Sequence, residues 1–181
     1  MTTAAGVGFV EMRISKVVAV GRAGDDILEC IVLDEAHGDR HLVIEVGSPE
    51  AFSLAATLDG TEWRRPMTYQ FMAAAVESLG ARVRQVRIDR VIDGAYAATV
   101  ELEGPTGTGV VDARSSDALN LAALANAAVF AAREVLDDNE HRQAGDDAQA
   151  ALLRRAPDLP ALTVRRAGPG EEPWDWVDGP V

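Results

Sequence analysis

The chain has one cysteine in 181 residues, Cys30, which excludes an intramolecular disulfide. Cys30 sits in an apolar, β-prone stretch and reads as a small buried hydrophobe. No run approaches the roughly 18 apolar residues of a membrane helix, so no membrane association is expected. The opening MTTAAGVGFVEMR has no basic segment followed by an apolar one, so no secretion signal is expected. The cytoplasm is the expected compartment. No Walker loop, Gly-rich dinucleotide fingerprint, CxxC or HExxH occurs. Cations are scarce: 17 basic residues face 29 acids, for a net charge of -12. That balance opposes nucleic-acid binding through general positive charge. The deficit runs along the whole chain, because residues 137–181 hold ten acids against five arginines and the remainder nineteen acids against twelve basic residues. Lys16 is the only lysine.

What is present alternates between strand and helix signals. Residues 9–20, 27–33 and 40–46 are rich in β-branched and apolar types and are separated by turns at 21–26 and 34–39, which predicts a β-meander. Ser48 reads as an N-cap with Pro49 at N1, opening a helix that stops at Asp59-Gly60. Thr68 reads as the cap of a second helix, ended by Gly80 at C′. Asp93-Gly94 is a two-residue hairpin signal between strands at 82–92 and 95–103. A strand over 109–113 leads to Ser115 or Ser116, caps of a third helix reaching about Ala125. A short strand at 127–130 and a short helix at 132–136 follow, then a polar linker, DDNEHRQAGDD. Residues 148–155 read as a helical turn or two, and 157–181 as a tail mostly without regular structure, carrying Trp174 and Trp176. Those tryptophans suit docking on the chain's own body, on a neighbouring subunit or on a partner.

One device occurs twice. Residues 44–56, IEVGSPEAFSLAA, align without a gap on 111–123, VDARSSDALNLAA, at an offset of 67. Ser115 falls on Ser48, Asp117 on Glu50 and Asp112 on Glu45. Each copy reads as strand, serine, then a helix with an acid in its first turn. Helix capping explains this without chemistry, since an acid there faces the positive end of the helix dipole. A functional reading requires the two junctions to meet. Converging Glu45, Glu50, Asp112 and Asp117 would suit a Mg²⁺ or Mn²⁺ ion, and Arg114 is placed to hold a phosphate or pair with a carboxylate.

Other candidates have plainer explanations. His37 and His41 flank a tight turn, where a four-residue spacing does not direct both rings at one metal. The arginines at 82, 84, 87 and 90 form the most basic stretch; pairing with Glu101 and Glu103 is the plainer reading, and a phosphate-tracking stripe without interleaved aromatics the alternative.

The succession HLVIEVGSPEAFSLA, RRPMTYQFMAAAVESLGARVRQVRI, DGAYAATV, VDARSSDALNLA and EVLDD resembles the bifunctional nuclease domain of bacteria and plants, over roughly residues 9–138. The resemblance implies an α+β fold with a largely antiparallel, curved sheet, helices packed on it, and self-association. It also implies the DNase and RNase activity of plant members. Two motifs depart from the family's pattern. Arg65-Pro66-Met67-Thr68-Tyr69-Gln70 stands where the family has Arg-Pro-Leu-Thr-His-Asp, so the histidine and aspartate are absent. Ser115 replaces the proline of Asp-Ala-Arg-Pro-Ser-Asp-Ala.

The resulting expectation is an α+β domain at residues 9–138 with an acidic, Pro/Gly-rich extension at 139–181, assembling as a homo-oligomer. The expected function is metal-assisted phosphodiester hydrolysis of DNA or RNA. Glu50 and Asp117 are the expected ligands of Mg²⁺ or Mn²⁺, with Asp112 next. Arg65 and Arg114 would steady the phosphate. The alternative is a non-nucleolytic oligomer on the same scaffold that binds a partner or acts on a small molecule. A basic groove at the paired junctions favours the first reading; an apolar pocket there favours the second.

Overall fold

A computed structural model of the chain describes residues 8–21, 27–145, 147–166 and 174–177. β1 (Phe9–Gly21), β2 (Ile27–Glu35) and β3 (His41–Val46) form the first meander, and α1 (Ser48–Leu58) follows. α2 (Thr68–Ser78) then leads to a second meander of β4 (Arg82–Ile92), β5 (Ala95–Gly104) and β6 (Gly107–Arg114), followed by α3 (Ser115–Ala125). β7 (Ala128–Ala132), α4 (Arg133–Gln143) and α5 (Ala148–Arg155) come next. A 3₁₀ turn (Ala156–Asp158) precedes β8 (Thr163–Arg166) and β9 (Trp174–Val177), which pair with each other.

The main sheet runs β3-β2-β1-β7-β4-β5-β6. Every pairing is antiparallel except β4 with β7. The two meanders therefore lie on either side of β7, and α1 and α3 each leave an edge strand. The bounds of α1 and α3 differ by the same 67 residues as the repeat. The β4–β5 turn is as its sequence demands, with Asp93 and Gly94 both at positive φ, 49° and 82°.

Alternation along the strands builds two layers of core. Ile31, Leu33, Leu42 and Ile44 face Leu54 of α1, Leu119 of α3 and Leu136 of α4. Val18, Val20, Cys30, Val32 and Val43 point to the other side, where Leu153 of α5 and Ala156 close over them. Burial on both faces explains why β2 reads as a nearly continuous apolar run. Alanines 51, 55, 118 and 122 are buried where α1 packs against α3, and their small side chains permit that approach.

The sheet curls. Laid flat, seven strands would hold β3 and β6 about 29 Å apart. Yet Arg114, at the end of β6, reaches Glu50, just beyond β3, at 2.9 Å. The β3 edge is sealed by Asn139 of α4, fully buried, which donates to His41 O at 2.8 Å and accepts from Val43 N at 3.4 Å.

Three expectations need correction. The serines and threonine do not cap: the N-caps are Gly47, Met67 and Arg114, so Ser48, Thr68 and Ser115 are already inside their helices. Ser48 donates instead to Glu29 Oε1 at 2.8 Å. The polar linker begins as helix, since α4 runs on to Gln143. Of the C-terminal residues, the described ones are partly regular and pack in cis up to Val164, while 167–173 and 178–181 lie outside the described residues. Lys16 donates to Pro157 O and Leu159 O, both at 2.7 Å, and Val164 N to Asp59 Oδ2 at 2.7 Å. Leu162 is 6% exposed and belongs to the main core. The expected turn at 21–26 falls largely outside the described residues.

Candidate functional site

The two strand-to-helix junctions meet. Glu50 lies in the first turn of α1, and its carboxylate folds back over Gly47, where a Cβ would stand 2.6 Å from Glu50 Oε2. Arg114 caps α3, and its guanidinium forks onto Asp117 in the first turn, Nε to Oδ2 at 2.8 Å and Nη2 to Oδ1 at 2.9 Å. The same Nη2 donates to Glu50 Oε1 at 2.9 Å, so one arginine holds an acid from each copy of the repeat. Asn120, fully buried on α3, donates to Glu50 O and to Ser116 O and ties the copies a second time. From α2, Tyr69 donates its hydroxyl to Asp117 Oδ1 at 2.6 Å.

Glu50, Arg114, Asp117 and Tyr69 form the polar end of a cavity of about 410 Å³. Its other walls are mostly apolar, with Phe52 on α1, Trp63 in the loop, and Met67 and Met72 at α2, beside the hydroxyl residues Ser53 and Thr68. The Phe52 and Trp63 rings lie 5.8 Å apart at 58°. Two carboxylates against one guanidinium leave the polar end net negative. Burial pushes the Asp117 carboxyl up, but hydrogen bonds from Arg114 and Tyr69 and the charge of Arg114 prevail and hold it below the usual carboxylate range. Burial and the neighbouring Asp117 push the Tyr69 phenol far above its ordinary value, so it stays a donor across the neutral range. Arg114 is held charged by Asp117 and Glu50. Its Nη1 donates to no described residue, and the side chain is 67% exposed.

Of the expected site residues, Glu50, Asp117 and Arg114 come together. Asp112 stands exposed on β6 opposite Thr99 and does not line the cavity. Arg65 is exposed in the loop before α2 and does not line it either. Glu45 lines a different cavity. His41 sits 2.8 Å from Asp34 Oδ1, and His37 3.9 Å from Glu11 Oε2. Two arginines of the basic stretch on β4 pair as expected, Arg82 with Glu103 and Arg84 with Glu101, while Arg87 lies 3.5 Å from Asp89 Oδ1 instead.

Tyr69 and the apolar walls are the residues that sequence reasoning passed over. Tyr69 occupies the position of the family's histidine, and that position faces Asp117. Gln70, where the family's aspartate falls, accepts the Met67 N–H at 3.1 Å and serves the helix start. The donor set does not fit a divalent cation as arranged. Both acids are committed to Arg114, which stands where the ion would, and among the described residues no three His, Cys, Asp or Glu side chains converge.

The fold and site define a duplicated α+β domain whose two strand–helix junctions join across a carboxylate–arginine cluster beside an apolar-walled cavity. The bifunctional nuclease domain matches residues 31–144, and the chain belongs to that family. It is 30% identical over 106 residues to the uncharacterized proteins Rv1829 and MT1877 of two Mycobacterium tuberculosis strains, across 59% of this chain and 63% of theirs. The alignment thus spans less than two thirds of those relatives. Among the described residues no helix is long and apolar enough to cross a membrane.

Proposed function

We propose that the cavity at the paired junctions is the chain's active site and that its reaction is phosphodiester hydrolysis on a single nucleic-acid strand, RNA or DNA. The observation that carries this is the convergence of Glu50, Arg114 and Asp117 from both copies of the repeat, in a chain of the bifunctional nuclease family. A cavity of about 410 Å³ admits one base and its sugar but not a duplex. Trp63, Phe52 and Met72 offer a base its apolar surface. Arg114 Nη1 is the donor for a phosphoryl oxygen, and Glu50 is the carboxylate to take a proton from the attacking water, whose oxygen bonds to phosphorus as the bond to the leaving sugar oxygen breaks and that oxygen takes a proton from solvent. Tyr69 holds Asp117 in place and does not relay protons. A Mg²⁺ or Mn²⁺ ion, the cofactor expected from the sequence, would take Glu50 and Asp117 only once Arg114 turned away.

The apolar walls and net-negative polar end favour a second reading, in which a small amphiphilic molecule binds here without being cleaved. Self-association would use the α2 face, where Phe71 is 65% and the C-cap residue Leu79 79% exposed and Tyr69 alone of the helix is buried. Sedimentation of a Phe71→Glu variant tests that face.

The deciding experiment offers single-stranded DNA, duplex DNA and RNA to the wild type and to Asp117→Asn, with Mg²⁺, Mn²⁺ or EDTA. Single-strand cleavage that is lost in a folded Asp117→Asn protein supports the active site, and its response to EDTA decides the metal. Cleavage that survives in that variant, or none under any condition, sinks the reading. Small-molecule ligands then come first.

A further inference from the structure

A second cavity, of about 320 Å³, lies across Arg114 from the first, between the β3 and β6 ends of the curled sheet. Ser115 and Ser116 line it at the start of α3, and Gly47 lines it at the start of α1. The N-terminal N–H groups of a helix lack intrahelical partners and carry its positive dipole end. Neither helix has a side-chain cap to satisfy them. Ser115 and Ser116 are 6% and 7% exposed, so each is more than nine-tenths buried. Among the described residues neither hydroxyl has a hydrogen-bond partner. Ser48, the counterpart of Ser115 in the first copy, donates to Glu29.

Arg142 of α4 reaches the same cavity. Its Nη1 donates to the Tyr96 hydroxyl at 3.2 Å, and its guanidinium lies 5.5 Å from the centre of the Tyr96 ring. It pairs with no carboxylate among the described residues, in a chain of net charge -12. Glu45 also lines the cavity and is already engaged. Two buried hydroxyls, uncapped helix starts, an unneutralised guanidinium and the edge of a second are the donors that a phosphate's oxygens require.

We propose that this serine-lined cavity is a phosphate-binding site. It complements the net-negative aromatic cavity, which suits a base better than a phosphate. Arg114 borders both, so a nucleotide unit straddling it would place its apolar part on one side and its phosphate on the other. The site names the phosphate position for the proposed reaction, but its binding is read without cleavage.

The test is titration of the full chain by ³¹P NMR and calorimetry. Inorganic phosphate is one probe, and a short oligonucleotide with or without a 5′-phosphate is the other. Saturable binding of inorganic phosphate is expected, weakened about tenfold or more in Ser115→Val and Arg142→Gln. Arg142→Lys keeps the charge and should keep part of the affinity, with melting curves confirming that each variant folds. Binding of the 5′-phosphorylated oligonucleotide alone, weakened by the same variants, would make the source a nucleic-acid phosphate. Absence of binding by the wild type to both probes overturns the site, as does binding that both variants leave unchanged. Phosphate binding by a protein that cleaves nothing overturns the reaction alone.

Discussion

Gly47→Ala separates the site from the fold. Gly47 is an N-cap with φ -74° and ψ 154°, a conformation any residue adopts, so no backbone strain follows. The new Cβ would stand 2.6 Å from Glu50 Oε2 and at ordinary contact distance from Glu50 Cδ and Pro49 Cδ, 3.6 and 3.7 Å. Only the carboxylate has to move. It must retreat about 1 Å to reach van der Waals separation, and its 2.9 Å bond to Arg114 then breaks. Arg114 is 67% exposed, so that ion pair contributes at most about 1 kcal/mol. Alanine is a poorer cap than glycine but restricts the unfolded chain, and these effects oppose one another at about 0.5–1 kcal/mol each. The net loss should stay within about 1 kcal/mol by urea unfolding. Cleavage of a short single-stranded oligonucleotide should fall about a hundredfold, the order expected for a misplaced catalytic group. Gly109→Ala is the control, since nothing lies within 4 Å of its new Cβ and β6 is open there. Unchanged cleavage in folded Gly47→Ala would show that the position of Glu50 is irrelevant, and the site as drawn would be wrong.

Asp117→Asn should cost about 1 kcal/mol at neutral pH. Because the folded-state pKa of Asp117 is depressed, its contribution is present above the unfolded value, near 3.9, and disappears as pH falls through the folded one. The gap between wild type and variant in urea titrations should therefore close below about pH 4; a constant gap would detach it from this ionisation. Tyr69→His with Gln70→Asp puts an imidazole beside Asp117 and should raise single-strand cleavage about a hundredfold; no gain in a folded protein would mean that these positions do not limit the chemistry. Leu162→Ala should cost about 2 kcal/mol or more, read from the urea midpoint. A loss below about 0.5 kcal/mol would mean that the C-terminal segment lies outside the cooperative unit.

The strands, the hairpin at Asp93-Gly94 and the bounds of α1 and α3 were legible because each rests on local pattern: β-branched runs, two residues that tolerate positive φ, and a gapless repeat. Curling of the sheet was legible only through the family resemblance. The misread parts depend on partners far along the chain. Ser48 looks like a cap because its rival acceptor, Glu29, is 19 residues away. Tyr69 looks like a lost histidine because its contact with Asp117 spans 48 residues. The second half of α4 looks like a linker because beyond Leu136 it shows the core only a buried asparagine, whose value lies in closing the β3 edge. The C-terminal segment looks like a tail because its anchors are few, yet they include the chain's one lysine and Leu162.

The duplication explains why the acids matter even though capping accounts for each alone. Separately, Glu50 and Asp117 each face the positive end of their own helix. What distinguishes them is the asymmetry between copies. Arg114 has Gly47 as its counterpart, and that glycine leaves room for the Glu50 carboxylate to turn back toward the arginine of the other copy. Had both copies carried arginine, two guanidiniums would crowd one cleft; with glycine in both, two carboxylates would face each other unpaired. One of each produces a single bridged site between the two edges of the curled sheet. The serines differ as well: the first copy's donates to Glu29, while the second copy's lines the other cavity without a hydrogen-bond partner among the described residues. The two helix starts of the repeat thus serve two cavities, Glu50, Asp117 and the aromatic walls lining one, and Ser115, Ser116 and Glu45 the other, with Arg114 between them.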